Sequence, residues 1–233
     1  VEDFLHKNYG LLISLSEATA AFTGIILYKK FKTTKTKYFI WFLVYLFVCE
    51  FLAGYKNYVK DGFLSFLQDT KFATNHWWST SFWKVGAIVF FSFYYYKILK
   101  RASFKKIVKT TGVLFFSFCI IYIGLHWDEF FIRFFPVISV LGAVVIFLCS
   151  VLYFVEILQS DRILTFYKSI NFYISIAIFI WWLIITPLIF YDMYHTSWDW
   201  NFIFLKWEIY LLANIFMYLT YTFALLWCRP END

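Results

Sequence analysis

Seven stretches of this sequence, at about 11–29, 38–55, 83–99, 108–125, 135–158, 170–190 and 203–227, are apolar for long enough to cross a bilayer core of roughly 30 Å as helices. Such runs leave a chain few choices. In lipid every backbone N–H and C=O must be satisfied internally, which a helix does within one segment. Composition agrees, since 62% hydrophobic residues and a mean hydropathy of +0.66 amount to more apolar surface than one aqueous core could hide. The expectation is an all-α integral membrane protein, a seven-transmembrane-helix bundle forming a single domain over residues 1–233. The remaining residues include no polar block that could hold an attached kinase, nuclease or nucleotide-binding module.

Orientation is read from lysine and arginine. The loop after the first span carries Lys29, Lys30, Lys32, Lys35 and Lys37, and that after the third carries Lys97, Lys100, Arg101, Lys105, Lys106 and Lys109. With Arg162, Lys168 and Arg229 this side holds fourteen basic residues against seven on the other: Lys7, Lys56, Lys60, Lys71, Lys84, Arg133 and Lys206. The positive-inside rule puts the N-terminus outside and the C-terminus in the cytoplasm. The +6 charge is then a topological signal, and short basic connectors at a membrane surface suit anionic lipid rather than nucleic acid. No secretory signal peptide is apparent, and the first span serves as its own insertion signal. Cys49, Cys119, Cys149 and Cys228 lie inside or at the ends of spans with no metal-type spacing, so they read as packing residues.

Three glutamates stand out because an ordinary span excludes them. Counted at 1.5 Å per residue, Glu17, Glu50 and Glu208 each lie roughly 8–9 Å below the outer end of their spans. An ionised carboxylate facing lipid costs roughly 2.5–3.5 kcal/mol or more, so these should face the bundle interior or water. Ser14, Ala20, Ala21 and Gly24 share the helical face of Glu17, and Ala53 and Gly54 flank Glu50. If the first, second and seventh helices are neighbours, the three acids converge on one outward-facing pocket, and at least one keeps its proton near neutrality. Ser14 and Asn214 complete this candidate ligand or proton site. The alternative is helix-to-helix hydrogen bonding with Ser14, Ser16 and Thr19. Glu156, near the inner end of the fifth span, reads as an interfacial side chain able to snorkel.

The four histidines all fall on the outer side, two of them in "LHWDE" and "FYDMYHTSWDW". His126, Asp128, His195 and Asp199 are candidate metal ligands from separate loops, against the plainer reading of polar head-group residues. The long outer connection at 56–82 should lie on the membrane surface as an amphipathic turn or two, either filling a gap or forming a lid. Seven of the eleven tryptophans sit near the outer interface as an aromatic belt. Pro187 should kink the sixth span. Lys206 lies too near the outer end of the last span to carry retinal, and no phosphate loop or nucleophile elbow is present.

Four stretches, "LHKNYGLLISLSEATA", "YKKFKTTKTKYFIWFLVYLFVCE", "FYKSINFYISIAIFIWWLIITPLIFYD" and "NIFMYLTYTFALLWCRPE", resemble a group of small seven-helix inner-membrane proteins of Bacteroidota. The resemblance covers essentially the whole chain and implies the same topology and a bacterial inner (cytoplasmic) membrane. It transfers no activity and no cofactor. Three functions fit the residues. The first is a sensory or accessory module, receptor-like, that binds a small ligand, lipid or proton in the outer pocket and signals through a cytoplasmic or membrane partner on the basic loops. The second is a proton, cation or small-solute transporter, weakened by how few polar residues besides Asn171 and Asn214 occupy the inner halves of the spans. The third is a metal-dependent membrane hydrolase.

Overall fold

The computed structural model describes residues 5, 7–60, 62–194 and 200–230, which are helical with short connections and contain no strand. Six helices are long and apolar enough to cross a membrane: Tyr9–Ile26, Thr36–Tyr58, Ala102–Leu125, Pro136–Leu158, Ile170–Asp192 and Phe202–Trp227. The main helices are α1 (Tyr9–Ile26), α2 (Thr36–Ala53), α3 (Gly86–Ile98), α4 (Ala102–Leu125), α5 (Pro136–Leu158), α6 (Ile170–Tyr194) and α7 (Trp200–Trp227). Five of the predicted spans match these helices to within a few residues. The fourth helix starts six residues before the predicted span, because the lysines that interrupt the apolar run are themselves good helix formers.

The stretch at 83–99 is built differently. Its regular part, α3, has only 13 residues and is carried outward by a π-helical segment, Ser79–Val85, and a single turn, His76–Trp78. A π segment leaves carbonyls without their usual i+4 donor, and here the Tyr45 hydroxyl of α2 donates to Phe82 O at 2.6 Å. Gly86 makes room for that hydroxyl, since a Cβ there would lie 2.6 Å from it.

Around the bundle, α1 lies between α2 and α7, α7 packs on α6, α6 on α5, and α5 on α4, while α3 packs against α2, α4 and α5. That central position explains why Ile88, Phe91, Tyr94 and Tyr95 of α3 are buried. Outward-facing aliphatic and aromatic side chains such as Leu15, Phe22, Ile120, Val144 and Leu219 are exposed, as a lipid-facing surface requires. Pro187 sits within α6 without interrupting it.

The connection at 56–82 includes short 3₁₀ turns, Ser65–Leu67 and Lys71–Ala73, with Phe63, Phe66 and Phe72 exposed. It is tied down by polar side chains. Asn75 Nδ2 and Trp78 Nε1 donate to Ala53 O and Cys49 O, satisfying carbonyls at the end of α2, and the Tyr55 hydroxyl donates to Phe72 O and Thr74 O. Glu156 is not a snorkelling side chain. It is buried, and its carboxyl oxygens accept the backbone N–H groups of Lys100 and Arg101 at 2.9–3.1 Å, fixing the short link between α3 and α4.

Candidate functional site

Glu17 is the most buried acid among the described residues, 2% exposed, on the face of α1 that also buries Ser16, Ala20, Ala21 and Gly24. Small residues there let α2 approach: a Cβ on Gly24 would stand 3.1 Å from Ile40 Cγ2. The hydroxyl of Tyr218 on α7 donates to Glu17 Oε1 at 3.0 Å. Ser16 and Thr19 do not serve this carboxyl, since they donate to Ile13 O and Leu15 O of their own helix. Ser14 is half-buried one turn outward.

Glu50 stands level with Glu17. Contacts of Phe22 with Phe47 and of Tyr28 with Trp41 fix the antiparallel register of α1 and α2, and by that register Glu50 lies opposite the turn of α1 that carries Glu17. The two carboxyls are within electrostatic reach of each other, and Lys56 acts on Glu50 from the outer side. Glu50 differs in being exposed at the bundle surface, crowded by protein on one side and open on the other. The acidic pair therefore has a buried member and an accessible one.

Glu208 does not join them in depth. Helices α1 and α7 run parallel, with the Tyr9 ring 6.0 Å from that of Trp207 and Lys30 Nζ 3.1 Å from Leu225 O. This register sets Glu208 beside Gly10, about two turns outward of Glu17. Counting from each span's own apolar boundary missed the slide of one helix along the other. Asn214 is in the right layer but faces α6, where its Oδ1 accepts the Trp181 indole N–H at 3.0 Å.

The candidate metal ligands are not assembled among the described residues, which hold no cluster of three His, Cys, Asp or Glu side chains suited to an ion. Asp128 pairs with Lys71 at 2.7 Å, and His126 stacks on Tyr122 with Nδ1 2.9 Å from Tyr122 O. His195 and Asp199 lie outside the described residues.

Two groups of functional interest were not legible as such. The first is a set of buried hydroxyls inward of Glu17. Tyr218 and Tyr221 lie one turn apart on α7, and the Tyr221 hydroxyl is buried with no hydrogen-bond partner. Tyr95 bonds Ser150 at 2.9 Å, Tyr94 donates to Asn171 Oδ1 at 2.6 Å, and Tyr153 lies 3.3 Å from Ser169 Oγ. The interior of the bundle is thus more polar than a count of asparagines suggests, because tyrosine in a span reads as belt or packing residue. The second is Lys84 on the π segment. It helps line a central cavity of about 30 Å³, room for about one or two waters, together with Trp181, Tyr218 and Tyr221. Tyr218 thus touches Glu17 and the cavity at once. Comparison with known proteins gives no match to this chain, whether to a family model, a curated protein or a solved structure.

Proposed function

We propose that this chain is a sensory or accessory module of a bacterial inner membrane, with seven crossings, the N-terminus outside and the C-terminus in the cytoplasm. Its input is a proton or small ligand at the Glu17–Glu50 pair, and its output passes to a partner docked on the basic cytoplasmic loops. The observation that carries this reading is the Glu17 carboxyl, buried in the outer half of a membrane helix, beside a second carboxyl and with a tyrosine hydroxyl as its hydrogen-bond donor. An ionised carboxylate there is expensive, so the site favours a protonated or ligated Glu17 and couples its state to what binds it. A change at Glu17 reaches α7 through Tyr218 and the central cavity through the same ring, a direct physical link from outer site to bundle core. The seventh crossing is the composite stretch from the π segment through α3, and the excess of basic residues supports the orientation. The test is partner identification by crosslinking in native membranes, then the response of that complex to external pH. Glu17→Gln should leave the partner bound and abolish the response. An unchanged response would remove Glu17 as the input.

A second reading, proton transfer across the bundle, is favoured by the hydroxyls inward of Glu17. Tyr218 bonds Glu17 and lines the cavity with Tyr221, while Tyr95 with Ser150 and Tyr153 with Ser169 form further hydroxyl pairs, the groups a proton would use between the acidic pair and the far ends of the helices. Proteoliposomes under a proton gradient separate the two readings. Flux that disappears in Tyr221→Phe supports transfer, and no flux in wild type leaves the sensory reading alone.

A further inference from the structure

His76, Thr80 and Lys84 recur at every fourth position, which lines them along one side of the outer part of the third helical stretch. Thr80 is completely buried and its hydroxyl has no hydrogen-bond partner, and the same is true of Nδ1 of His76. The Lys84 ammonium donates to Ser139 Oγ at 3.1 Å and sits 4.5 Å from the centre of the Phe134 ring. His76 meets that ring from its own side, edge-on, with centroids 4.4 Å apart. One aromatic ring therefore joins the lysine and the histidine, and Thr80 lies between them on the helix.

The charge balance of this cluster is incomplete. Lys84 lies about 21 Å along the helix from Ile98, well within the thickness of a bilayer core. No carboxylate pairs with it among the described ion pairs. The acid that acts on it electrostatically, Asp192, is itself engaged by Lys206 at 2.6 Å. His76 in turn feels Lys56 and Lys84, both positive. A half-buried ammonium beside two unpartnered groups able to donate hydrogen bonds is the inverse of a cation site.

We propose that His76, Thr80 and Lys84, with Ser139, form an anion-binding site at the outer end of the bundle. It takes one carboxylate- or phosphate-type group, from a free anion or from a lipid head group. The ammonium supplies the charge, the threonine hydroxyl and the imidazole N–H supply directed hydrogen bonds, and Phe134, partly exposed, covers the outer side. The site is separate from the Glu17–Glu50 pair and does not depend on the reading of that pair.

The test uses trifluoroacetate as probe, observed by fluorine NMR, with the purified full chain in neutral detergent and zwitterionic buffer. The expected result is saturable line broadening that acetate or phosphate reverses. Lys84→Met should weaken binding at least about tenfold while keeping the helical circular dichroism, and Thr80→Val by about threefold. Lys84→Arg, which preserves the charge, should retain binding, and Lys71→Met should leave it unchanged. In nanodiscs, displacement of the probe by phosphatidylglycerol but not phosphatidylcholine identifies a head group as the native occupant. Equal binding in both identifies a free anion. Absence of broadening in wild type, or broadening that survives Lys84→Met, overturns the proposal.

Discussion

At the scale of single residues, the membrane decides which polar groups matter. Glu17 was recognisable because a carboxylate in an apolar run is costly, and its small-residue face was recognisable by helical spacing. Its partner Tyr218 was not, because a tyrosine hydroxyl shows its role only when a specific neighbour is within reach. His76 supplies a prediction with a definite sign. Burial, then the charges of Lys56 in the 3₁₀ turn Gly54–Tyr58 that follows α2 and of Lys84 on the π segment, hold its imidazole below the ordinary histidine range. The folded protein thus binds this proton less readily than the unfolded chain. The stability contributed is present above the unfolded value near 6.5 and is lost as pH falls below it. Thermal unfolding followed against pH should show this acid-side loss in wild type and a shallower one in His76→Gln.

At the scale of elements, spans were legible and their mutual slide was not. Length and hydropathy locate a helix, but register between two helices is set by pairs such as Tyr9 with Trp207, which no single-helix pattern encodes. That is why Glu50 fell level with Glu17 and Glu208 did not. Close approach is testable at Gly112 of α4, where a Cβ would come within 2.7 Å of Ser92 Cβ on α3. Because that atom is fixed to the backbone, Gly112→Ala must push the two helices apart. It should cost about 1–3 kcal/mol, read as a lowered unfolding temperature in detergent. The link between helices follows the same logic. Glu156→Ala removes the acceptor for the Lys100 and Arg101 N–H groups between α3 and α4 and should cost about 1–3 kcal/mol. Glu156→Gln, which keeps an acceptor, should lose less.

At the scale of the whole molecule, α3 packs against α2, α4 and α5, and Lys84 and Tyr218, the hydrogen-bond partner of Glu17, both line the central cavity. The proposed orientation predicts that a cysteine placed at Asp69 is labelled by an impermeant maleimide from the periplasmic side, and one at Lys106 only after the membrane is opened. The four native cysteines are buried and give little background. Reversed labelling would invert the topology and, with it, the side from which Glu17 is reached. The proposed function requires Glu17 to gain and lose a proton or ligand in the intact bundle. Infrared difference spectroscopy of the protein in nanodiscs through a pH titration measures this. A carboxylic C=O band should appear and disappear with pH, be absent in Glu17→Gln and be shifted in Tyr218→Phe, which removes its hydrogen-bond donor. A spectrum that Glu17→Gln leaves unchanged would contradict that requirement.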